Sequence, residues 1–375
     1  MEDISLQSRI DVLTEEQTLI QDSAIAFVGR DEELKNVRAH RFVQPGYDQA
    51  LWQEMAESGW LGFLVPESLG GMELTFADLH TVLIQLGKGL VPVPFTATAV
   101  LAARALVGGD NEALKTERLP TLVSGEWKPA LAWQEGRGGM EIRAQGVKLT
   151  DGKLHGEKTY VPDAGGADAF VVSACTDAGT VLVLVEKDAP GLQIEYEQRV
   201  DGGFYGNLTF DGVVASETVA GAGCAEVALG AALDEARIAA SAELLGVMTR
   251  ALEITVDYIS QRVQFGKPIG SFQALQHQSV DLFILSEISR SVLLQAIAVA
   301  DGEGTARELA VAASQVKARC SDAALDITKS TIQLHGGIGY TDEANIGLYM
   351  KRAMFLASWL GNATAHRARY ASLTL

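Results

Sequence analysis

Two short segments of the chain carry residue types that suit the binding of a nucleotide. The first reads Arg-Val-Gln-Phe-Gly at 262–266 and follows a long run with helical, apolar periodicity. A guanidinium presents a planar fork of donors that fits a diphosphate, and a glycine lets the backbone come close to a ligand. A cationic helix end closed by a glycine cap produces the same pattern and is the commoner explanation of this segment alone.

The second segment reads Gln-Leu-His-Gly-Gly-Ile-Gly-Tyr at 333–340, at the predicted end of another helix. Exposed backbone N–H groups at such an end can hold phosphate oxygens or the edge of an adenine ring. The segment is not the Gly-x-Gly-x-x-Gly fingerprint and no strand is predicted before it, so a helix-capping turn stays open as the alternative. Together, the two segments favour a nucleotide site.

Other catalytic and metal-binding patterns are missing from the sequence. Its six histidines form no His-Glu-x-x-His pair, and there is no Gly-x-Ser-x-Gly elbow and no Walker loop. We therefore predict no metal site. His155, His277 and His366 are interpreted as surface or capping groups, and Asp234 with Arg237, one helical turn apart, as a local ion pair.

Charge and cysteine content limit the class of protein. A formal net charge of −18 and a pI of about 4.8 argue against general binding to nucleic acid or anionic membranes. The three cysteines form no disulfide framework, which favours a reducing compartment. There is no signal-peptide pattern, and we expect no apolar run of the ~18 residues that a membrane span needs. The expectation is a cytoplasmic protein without membrane insertion.

The elements that must position these segments divide the chain into three parts, and we predict an α+β fold that is mostly helical. A capping-box pattern at Thr14–Gln17 opens an N-terminal helical domain, residues 1–124. Residues 125–228 contain short β-branched runs separated by Asp-Gly turns and predict a small β barrel or sandwich. Helical periodicity then returns and predicts a four-helix bundle over 229–375, with helices at about 230–265, 272–300, 305–334 and 342–370.

Along these segments the chain resembles the acyl-CoA dehydrogenase family, and the likeness covers nearly the whole length in its helical, β, helical order. The specific matches are Arg237, residues 262–269, Phe272-Gln273 and residues 333–340, with weaker matches at Gly70-Gly71 and at Gly156-Glu157-Lys158. The resemblance implies an FAD enzyme that is a dimer of dimers. A base removes a proton beside the thioester carbonyl of an acyl-CoA, a hydride passes to the flavin, and an electron-transfer flavoprotein or similar acceptor follows.

The resemblance also implies that each FAD is shared between two subunits. One subunit holds the flavin ring against its own β domain and base, while the neighbour holds the diphosphate and adenosine. In this chain the neighbour-serving residues correspond to Arg262, Gln264, Phe265, Gln273, Gln333, Gly336 and Gly337.

The positions of the family's base are altered here. A Glu normally stands within a Tyr-Glu-Gly-Thr stretch, which corresponds here to Trp359-Leu360-Gly361-Asn362. Leu360 cannot take a proton. Some members carry the base just before the residue that matches Arg237, and here that residue is Ala236; Glu235, one step away, points about 100° around the helix. We therefore assign no catalytic residue to this chain.

The flavin-facing stretches of the β domain differ too, at 132–139 and at Tyr160–Asp163, and Trp133, Trp359 and Leu360 are expected to fill the pocket. Three hypotheses follow. The leading one is the non-basic subunit of a two-plus-two acyl-CoA dehydrogenase with a Glu-bearing partner, an arrangement that this family uses in steroid side-chain breakdown. The second is a self-sufficient homo-oligomeric flavoenzyme that uses Glu135 or Asp163 as its base. The third is a non-enzymatic assembly or binding protein of the same fold.

Overall fold

The computed structural model describes residues 13–375 and confirms the predicted α+β, mostly helical fold. The first helix opens as predicted: the Thr14 hydroxyl accepts from the Gln17 N–H at 3.1 Å, and the Gln17 side chain accepts from the Thr14 N–H. Helix α6 contains Pro120, a residue that normally disrupts a helix interior. A π-helical stretch, Thr96–Ala102, runs directly into α5. The N-terminal helices are α1 (Glu15–Val28), α2 (Lys35–His40), α3 (Gln49–Glu57), α4 (Phe76–Lys88), α5 (Ala103–Val107) and α6 (Glu112–Val123).

The middle of the chain forms one mixed, eight-stranded sheet with its own apolar core. Seven strands follow the order β6-β7-β3-β2-β4-β5-β8, and β1 pairs with β4 in parallel. The Asp151-Gly152 turn is a two-residue hairpin loop with positive φ at both positions, which matches the twist of the strands it joins. The strands are β1 (Pro129–Ala132), β2 (Lys148–Thr150), β3 (Lys153–Pro162), β4 (Ala169–Thr176), β5 (Gly179–Glu186), β6 (Leu192–Gln198), β7 (Phe204–Val214) and β8 (Glu217–Ala220).

The C-terminal part has three long helices followed by two short ones. The prediction of one continuous helix over 342–370 is wrong. The chain breaks into two helices at Leu360 and Gly361, which both have positive φ. Helix α7 begins at Ala225, four residues before the predicted bundle, and the domain boundaries at 124 and 228 stay predictions. The elements are α7 (Ala225–Gln261), β9 (Val263–Gln264), β10 (Lys267–Pro268), α8 (Gln273–Ala300), α9 (Ala306–His335), α10 (Ile346–Ser358) and α11 (Ala363–Thr374).

Helix α8 corrects the expectation about apolar runs. By length and composition it is the one helix among residues 13–375 that is apolar enough to cross a membrane, with a mean hydropathy of 1.6 over its 18-residue window. In the fold α8 packs against α7 and α9. Its exposed apolar residues Val280, Ile284 and Ile288 recur every four positions and therefore lie on one face.

Helices α4 and α7 join the N-terminal and C-terminal parts through two glycines. A Cβ at Gly246 of α7 would lie 2.0 Å from the Ile84 carbonyl oxygen, and a Cβ at Gly87 of α4 would lie 2.2 Å from the Glu243 carbonyl oxygen. Both contacts are with backbone, which cannot rotate away. The close crossing therefore requires glycine at both positions and holds the long helix α7, on which the site residues depend.

Substituting Gly246→Ala tests this crossing. We expect the free energy of unfolding to fall by about 2–3 kcal/mol, because the helices must separate to admit the methyl group. Gly230→Ala on the same helix is the matched control: its Cβ would meet only the flexible Ile142 side chain at 3.3 Å, so helix propensity should leave stability unchanged or raise it by up to about 1 kcal/mol. Urea unfolding of both variants checks the expectation, and equal midpoints would contradict it.

Candidate functional site

The segment after α7 is a tight hairpin, so the interpretation of Gly266 as a helix cap is wrong. Arg262 follows the last helical residue and has an extended backbone. The two-residue strands β9 and β10 then pair in antiparallel fashion. Phe265 and Gly266 form the two-residue loop with φ of 54° and 78°, as a mirror-image hairpin turn requires. The turn leaves the Phe265 ring 91% exposed at the tip, against the edge of Phe272.

Five of the seven predicted cofactor residues line one open groove, here called the α7–α9 groove, of about 490 Å³. The groove lies between the end of α7, the first turns of α8 and the end of α9. Phe265 and Gln273 are not among its lining residues. The predicted residues that line it are Arg262, Gln264, Gln333, Gly336 and Gly337, and it also includes Tyr258, Gln278 and His335.

The glycines at the end of α9 form an open cradle. A Cβ at Gly336 or Gly337 would meet no atom within 4 Å. Gly336 has a φ of 66° and needs to be glycine for that reason, whereas Gly337 does not lie in the left-handed region. Nothing in the described chain therefore requires glycine at 337. A ligand or a neighbouring chain that approaches the backbone accounts for it, and the exposed N–H groups suit an anion.

Arg262 supplies the positive charge at this cradle. It is exposed and makes no ion pair or side-chain hydrogen bond with any residue of the described part of the chain. The other nearby cation, Lys267, is directed over the Phe272 ring, 4.3 Å from its centroid. In a chain of net charge −18, an unpaired guanidinium beside open glycines fits the diphosphate of a dinucleotide.

One wall of the groove was missed by the sequence analysis. Tyr258 stacks on His335 with centroids 4.4 Å apart and an angle of 17° between the rings, and its hydroxyl donates to the His335 carbonyl at 3.3 Å. The His335 Nδ1–H donates to the Thr331 carbonyl at 2.8 Å, and burial lowers the pKa of the ring, which is therefore neutral at pH 7. Tyr258 lies one turn before Arg262 on α7, and that spacing is the signal that could have found it.

A second region lies between the segments that the family resemblance places against the flavin ring, and it is filled by side chains. Four aromatic residues, here called the aromatic stack, connect β3 and β7 with α10. Tyr160 meets Tyr205 at 5.6 Å between centroids, Tyr205 meets Phe355 at 5.9 Å, and Phe355 stacks on Trp359 at 5.6 Å. The predicted filling by Trp359 and Leu360 agrees with their burial, and the stack adds Phe355 and Tyr205, which sequence reasoning missed.

A chain of ion pairs, here called the buried ion-pair network, lies beside the stack. Arg199 pairs with Asp163 and with Asp201, each at 3.0 Å, and Arg352 joins Asp201 at 2.8 Å. Arg352 also donates from Nε to Glu243 of α7 at 2.8 Å. The Arg199 guanidinium covers the Phe355 ring at 3.9 Å. A small cavity of about 40 Å³ remains along this network, lined by Asp163, Arg199, Asp201 and Arg352 among others.

The buried ion-pair network includes Asp163, which is one of the two candidate bases in the second hypothesis. Burial raises the pKa of Asp163, although Arg199 and Arg352 oppose the shift. Its Oδ1 accepts from Arg199, and the side chain is only 15% exposed. The carboxylate is thus held by a cation inside the protein and is not free to take a proton from a substrate.

Glu135, the other candidate base, anchors the loop before β2. Its carboxylate accepts from the N–H groups of Gln145, Gly146 and Val147 at 2.6–3.1 Å and from Lys158 Nζ at 2.6 Å. Burial opposes ionisation, but these bonds outweigh it and lower the pKa of Glu135. Lys158 is itself fully buried and also donates to the Trp133 carbonyl and to Ser173. The geometry assigns Glu135 a structural task.

The turn at 359–362, where the resemblance expects the base, is fixed by buried donors. The Leu360 carbonyl accepts from Arg237 Nε at 3.2 Å and contacts His366 Nε2 at 3.0 Å. Lys317 Nζ donates to the carbonyls of Ala357 and Gly361 at 3.2 and 3.0 Å. The interpretation of His366 as a surface group is wrong, since the ring is fully buried; burial and nearby cations lower its pKa to about 2.

The predicted pair of Asp234 and Arg237 is confirmed at 2.6 Å, and it is buried at the centre of this cluster. Arg369 of α11 makes a second, bidentate pair with Asp234 at 2.6 and 2.9 Å. One carboxylate thus serves two guanidiniums beside Lys317. The cluster holds cations close together without a facing carboxylate for Lys317, and burial together with Arg237 lowers the pKa of Lys317 to about 7.

With this geometry described, comparison with known proteins decides the family. The acyl-CoA dehydrogenase N-terminal domain matches residues 14–126, and the acyl-CoA dehydrogenase C-terminal domain matches residues 225–372. The chain belongs to the acyl-CoA dehydrogenase family. It is 32% identical to acyl-CoA dehydrogenase FadE27 of Mycobacterium tuberculosis over 86% of this chain and 87% of that protein. Members of this family are FAD-dependent oxidoreductases that act on acyl-CoA.

Two solved structures are similar over almost the whole length. A chain of the Tcur3481–Tcur3483 steroid acyl-CoA dehydrogenase, solved as a variant, shares 35% identity, covers 96% of this chain and 97% of its own, and has a TM-score of 0.87. A chain of the ChsE4–ChsE5 complex from Mycobacterium tuberculosis shares 28% identity, with 96% and 97% coverage and a TM-score of 0.84. Both place this fold among acyl-CoA dehydrogenases.

Replacing Glu135 tests whether its carboxylate has a structural or a catalytic role. We expect Glu135→Gln to lower the free energy of unfolding by about 3 kcal/mol, because Lys158 then lies buried without its counter-charge. Flavin reduction by an assembled, folded enzyme should be unchanged. Glu157→Gln, an exposed neighbour on β3, is the control and should leave stability unchanged. Unaltered stability together with lost flavin reduction would show that Glu135 is a base.

The buried Lys317 predicts a dependence of stability on pH. Its folded pKa of about 7 lies below the ordinary lysine value of 10.5, so the unfolded chain binds more protons between these pH values and stability rises with pH there. Relative to Lys317→Met, the wild-type free energy of unfolding should gain about 2 kcal/mol from pH 7 to pH 9. Lys329→Met, exposed on the same helix, should keep the wild-type slope. Parallel slopes for all three proteins would refute the assignment.

Proposed function

We propose that this chain is the non-basic subunit of a heteromeric acyl-CoA dehydrogenase. It supplies the diphosphate and adenosine half of an FAD site to a homologous partner that carries the catalytic Glu. One observation carries the proposal: the α7–α9 groove is open and cationic, whereas the segments that would face this chain's own flavin are joined by the aromatic stack and the buried ion-pair network. A homo-oligomer would need both regions open in every chain.

The residues of the groove have distinct tasks in this proposal. Arg262 neutralises part of the diphosphate charge, and the N–H groups near Gly336 and Gly337 approach its oxygens through the open cradle. The Tyr258–His335 stack and the amides of Gln264, Gln278 and Gln333 offer a flat face and hydrogen-bonding groups to the adenosine. FAD supplies the hydride acceptor for the reaction, and the partner supplies the base and the acyl-CoA pocket.

The similar proteins support a heteromer and suggest a substrate class. The two solved structures described above have names that join two components, and one is described as a steroid acyl-CoA dehydrogenase. We extend the proposal to a CoA thioester of a steroid side chain, with an electron-transfer flavoprotein or similar acceptor. The apolar face of α8 offers a surface for assembly, and three free cysteines agree with a cytoplasmic location.

The rival hypotheses find less support in the geometry. A self-sufficient flavoenzyme needs a free carboxylate near a flavin, but Glu135 and Asp163 are both engaged by cations. A non-enzymatic binding protein needs no open, cationic groove, and nothing in the described chain explains the absence of a side chain at Gly337.

Expression of the chain with and without its partner tests the proposal. Alone, it should bind FAD weakly and show no acyl-CoA turnover, because it holds only the tail of the cofactor. Together with the Glu-bearing partner, it should copurify with tightly bound FAD and turn over the thioester. Full FAD occupancy with acyl-CoA turnover by the chain alone would refute the division of roles.

Arg262→Met should weaken FAD binding in the assembly by about 10- to 100-fold, as expected for the loss of a charge-assisted contact of about 1.5–3 kcal/mol. Arg367→Met is the matched control, since Arg367 is an exposed arginine of α11 that pairs with Asp322. Fluorescence titration of the stripped complex with FAD measures the difference, and equal dissociation constants for the two variants would count against this groove as the FAD site.

A further inference from the structure

The cradle at Gly336 and Gly337 belongs to an exposed segment that needs an external support. We name residues 336–345 the glycine loop. It runs from the end of α9 to the start of α10, and within it only Gly339 is buried. Gly339 packs closely on α9, where a Cβ would lie 2.6 Å from the Ile332 carbonyl oxygen. The next buried residue is Ile346, and between them only the half-buried Ala344 packs against the core.

That support comes from the N-terminal domain, more than 300 residues away in sequence. Arg41, directly after α2, makes a bidentate pair with Asp342: Nη1 donates to Oδ1 at 2.7 Å, and Nη2 donates to Oδ2. Arg38 of α2 donates to Asn345 Oδ1 at 2.9 Å and lies 3.4 Å from Asp342 Oδ2. These contacts hold the second half of the glycine loop from outside the bundle.

The donor side of this contact is itself well fixed. Arg41 lies against Gly202, where a Cβ would be 2.4 Å from Arg41 Cβ, and the next residue, Phe42, donates its N–H to the Gly202 carbonyl at 2.6 Å. The Arg41 side chain is 21% exposed. A guanidinium that is already held in place loses less entropy in forming a bidentate pair than a free surface arginine does.

We propose that Arg41 and Asp342, assisted by Arg38 and Asn345, form a clamp that positions the glycine loop for the FAD diphosphate. Asp342 does not touch the cofactor in this proposal; it is a positioning residue that keeps the N–H groups at Gly336 and Gly337 in place before binding. Preorganised donors lower the entropy cost of binding, and a loosened loop releases its ligand faster. The proposal rests on the proposed function of the α7–α9 groove.

The clamp differs from a simple surface ion pair in the number of cations around its carboxylate. Hydrogen bonding to Arg41, with Arg38 and Lys351 adding to it, lowers the pKa of Asp342 to about 2. Lys351 of α10 contributes a third cation, 3.9 Å from Asp342 Oδ1. Three cations, two from the N-terminal domain and one from α10, thus face the carboxylate of Asp342.

The test uses the complete complex of this chain with its Glu-bearing partner and measures the rate of FAD release. Asp342→Asn should release FAD about fivefold faster, the scale of one well-placed ion pair. Asp322→Asn removes the partner of Arg367 in another exposed pair and should leave the rate unchanged. Arg41→Met should match Asp342→Asn, and the double variant should be no faster than either single one, since both remove the same contact.

Assembly and melting temperature of each variant complex separate positioning from general damage, and both should stay at the wild-type values. Arg262→Met in the same series distinguishes the claim that the groove binds FAD from the claim that the clamp positions the glycine loop. If Arg262→Met loses FAD while Asp342→Asn releases it at the wild-type rate, the positioning role of the clamp is refuted. The assignment of the α7–α9 groove as the FAD site is then still supported. If neither variant changes FAD binding, the groove and the clamp are both wrong. Faster release from Asp322→Asn as well would overturn the clamp as a specific device.

Discussion

The guanidinium of Arg199 is the contact on which this structure depends. It lies over the Phe355 ring and between the carboxylates of Asp163 and Asp201, so one cation ties the β domain to helix α10. Burial alone would raise the pKa of Asp201, but Arg199 and Arg352 outweigh it and lower that pKa. Buried charges of this kind are expensive to leave unpaired, so the members of the network hold one another in a single arrangement.

In the proposed division of roles, this arrangement takes the place of a flavin ring in the subunit's own cleft. In an enzyme that binds a flavin between its β domain and its helices, the ring itself fills that space. In this chain aromatic side chains and paired charges lie between β3, β7 and α10 and join the β domain to the helices. The α7–α9 groove lies elsewhere, at the end of α7, where the hairpin and the end of α9 meet.

Residue patterns predicted the fold well where periodicity is strong, as in the apolar stripe of α7 and the β-branched runs of β4 and β5. They failed where contacts with residues distant in sequence decide the backbone conformation. Leu360 and Gly361 take positive φ because buried donors hold their carbonyls, and no local pattern shows donors that come from α7, α9 and α11. The hairpin at Phe265-Gly266 was similarly mistaken for a cap, since a glycine after a helix fits both.

The groove was foreseen in part for a related reason. Arg262, Gln333 and the two glycines were readable because their residue types suit a diphosphate. Tyr258 and Gln278 were missed because a tyrosine or a glutamine on a helix has many ordinary explanations. The spacing from Arg262 could have indicated Tyr258, whereas only the fold brings Gln278 to the same surface. The aromatic stack was predicted only at Trp359, since Tyr205 and Phe355 come from elements about 150 residues apart.

The most direct measurement of the central claim is the number of FAD molecules in the purified assembly of this chain with its partner. Flavin absorbance after denaturation, set against the mass of each chain, gives that ratio. The account predicts one FAD for each pair of unlike chains, because only the partner has room for the ring. One FAD for every chain would show that the filled cleft of this subunit opens to hold a flavin, and would contradict the account.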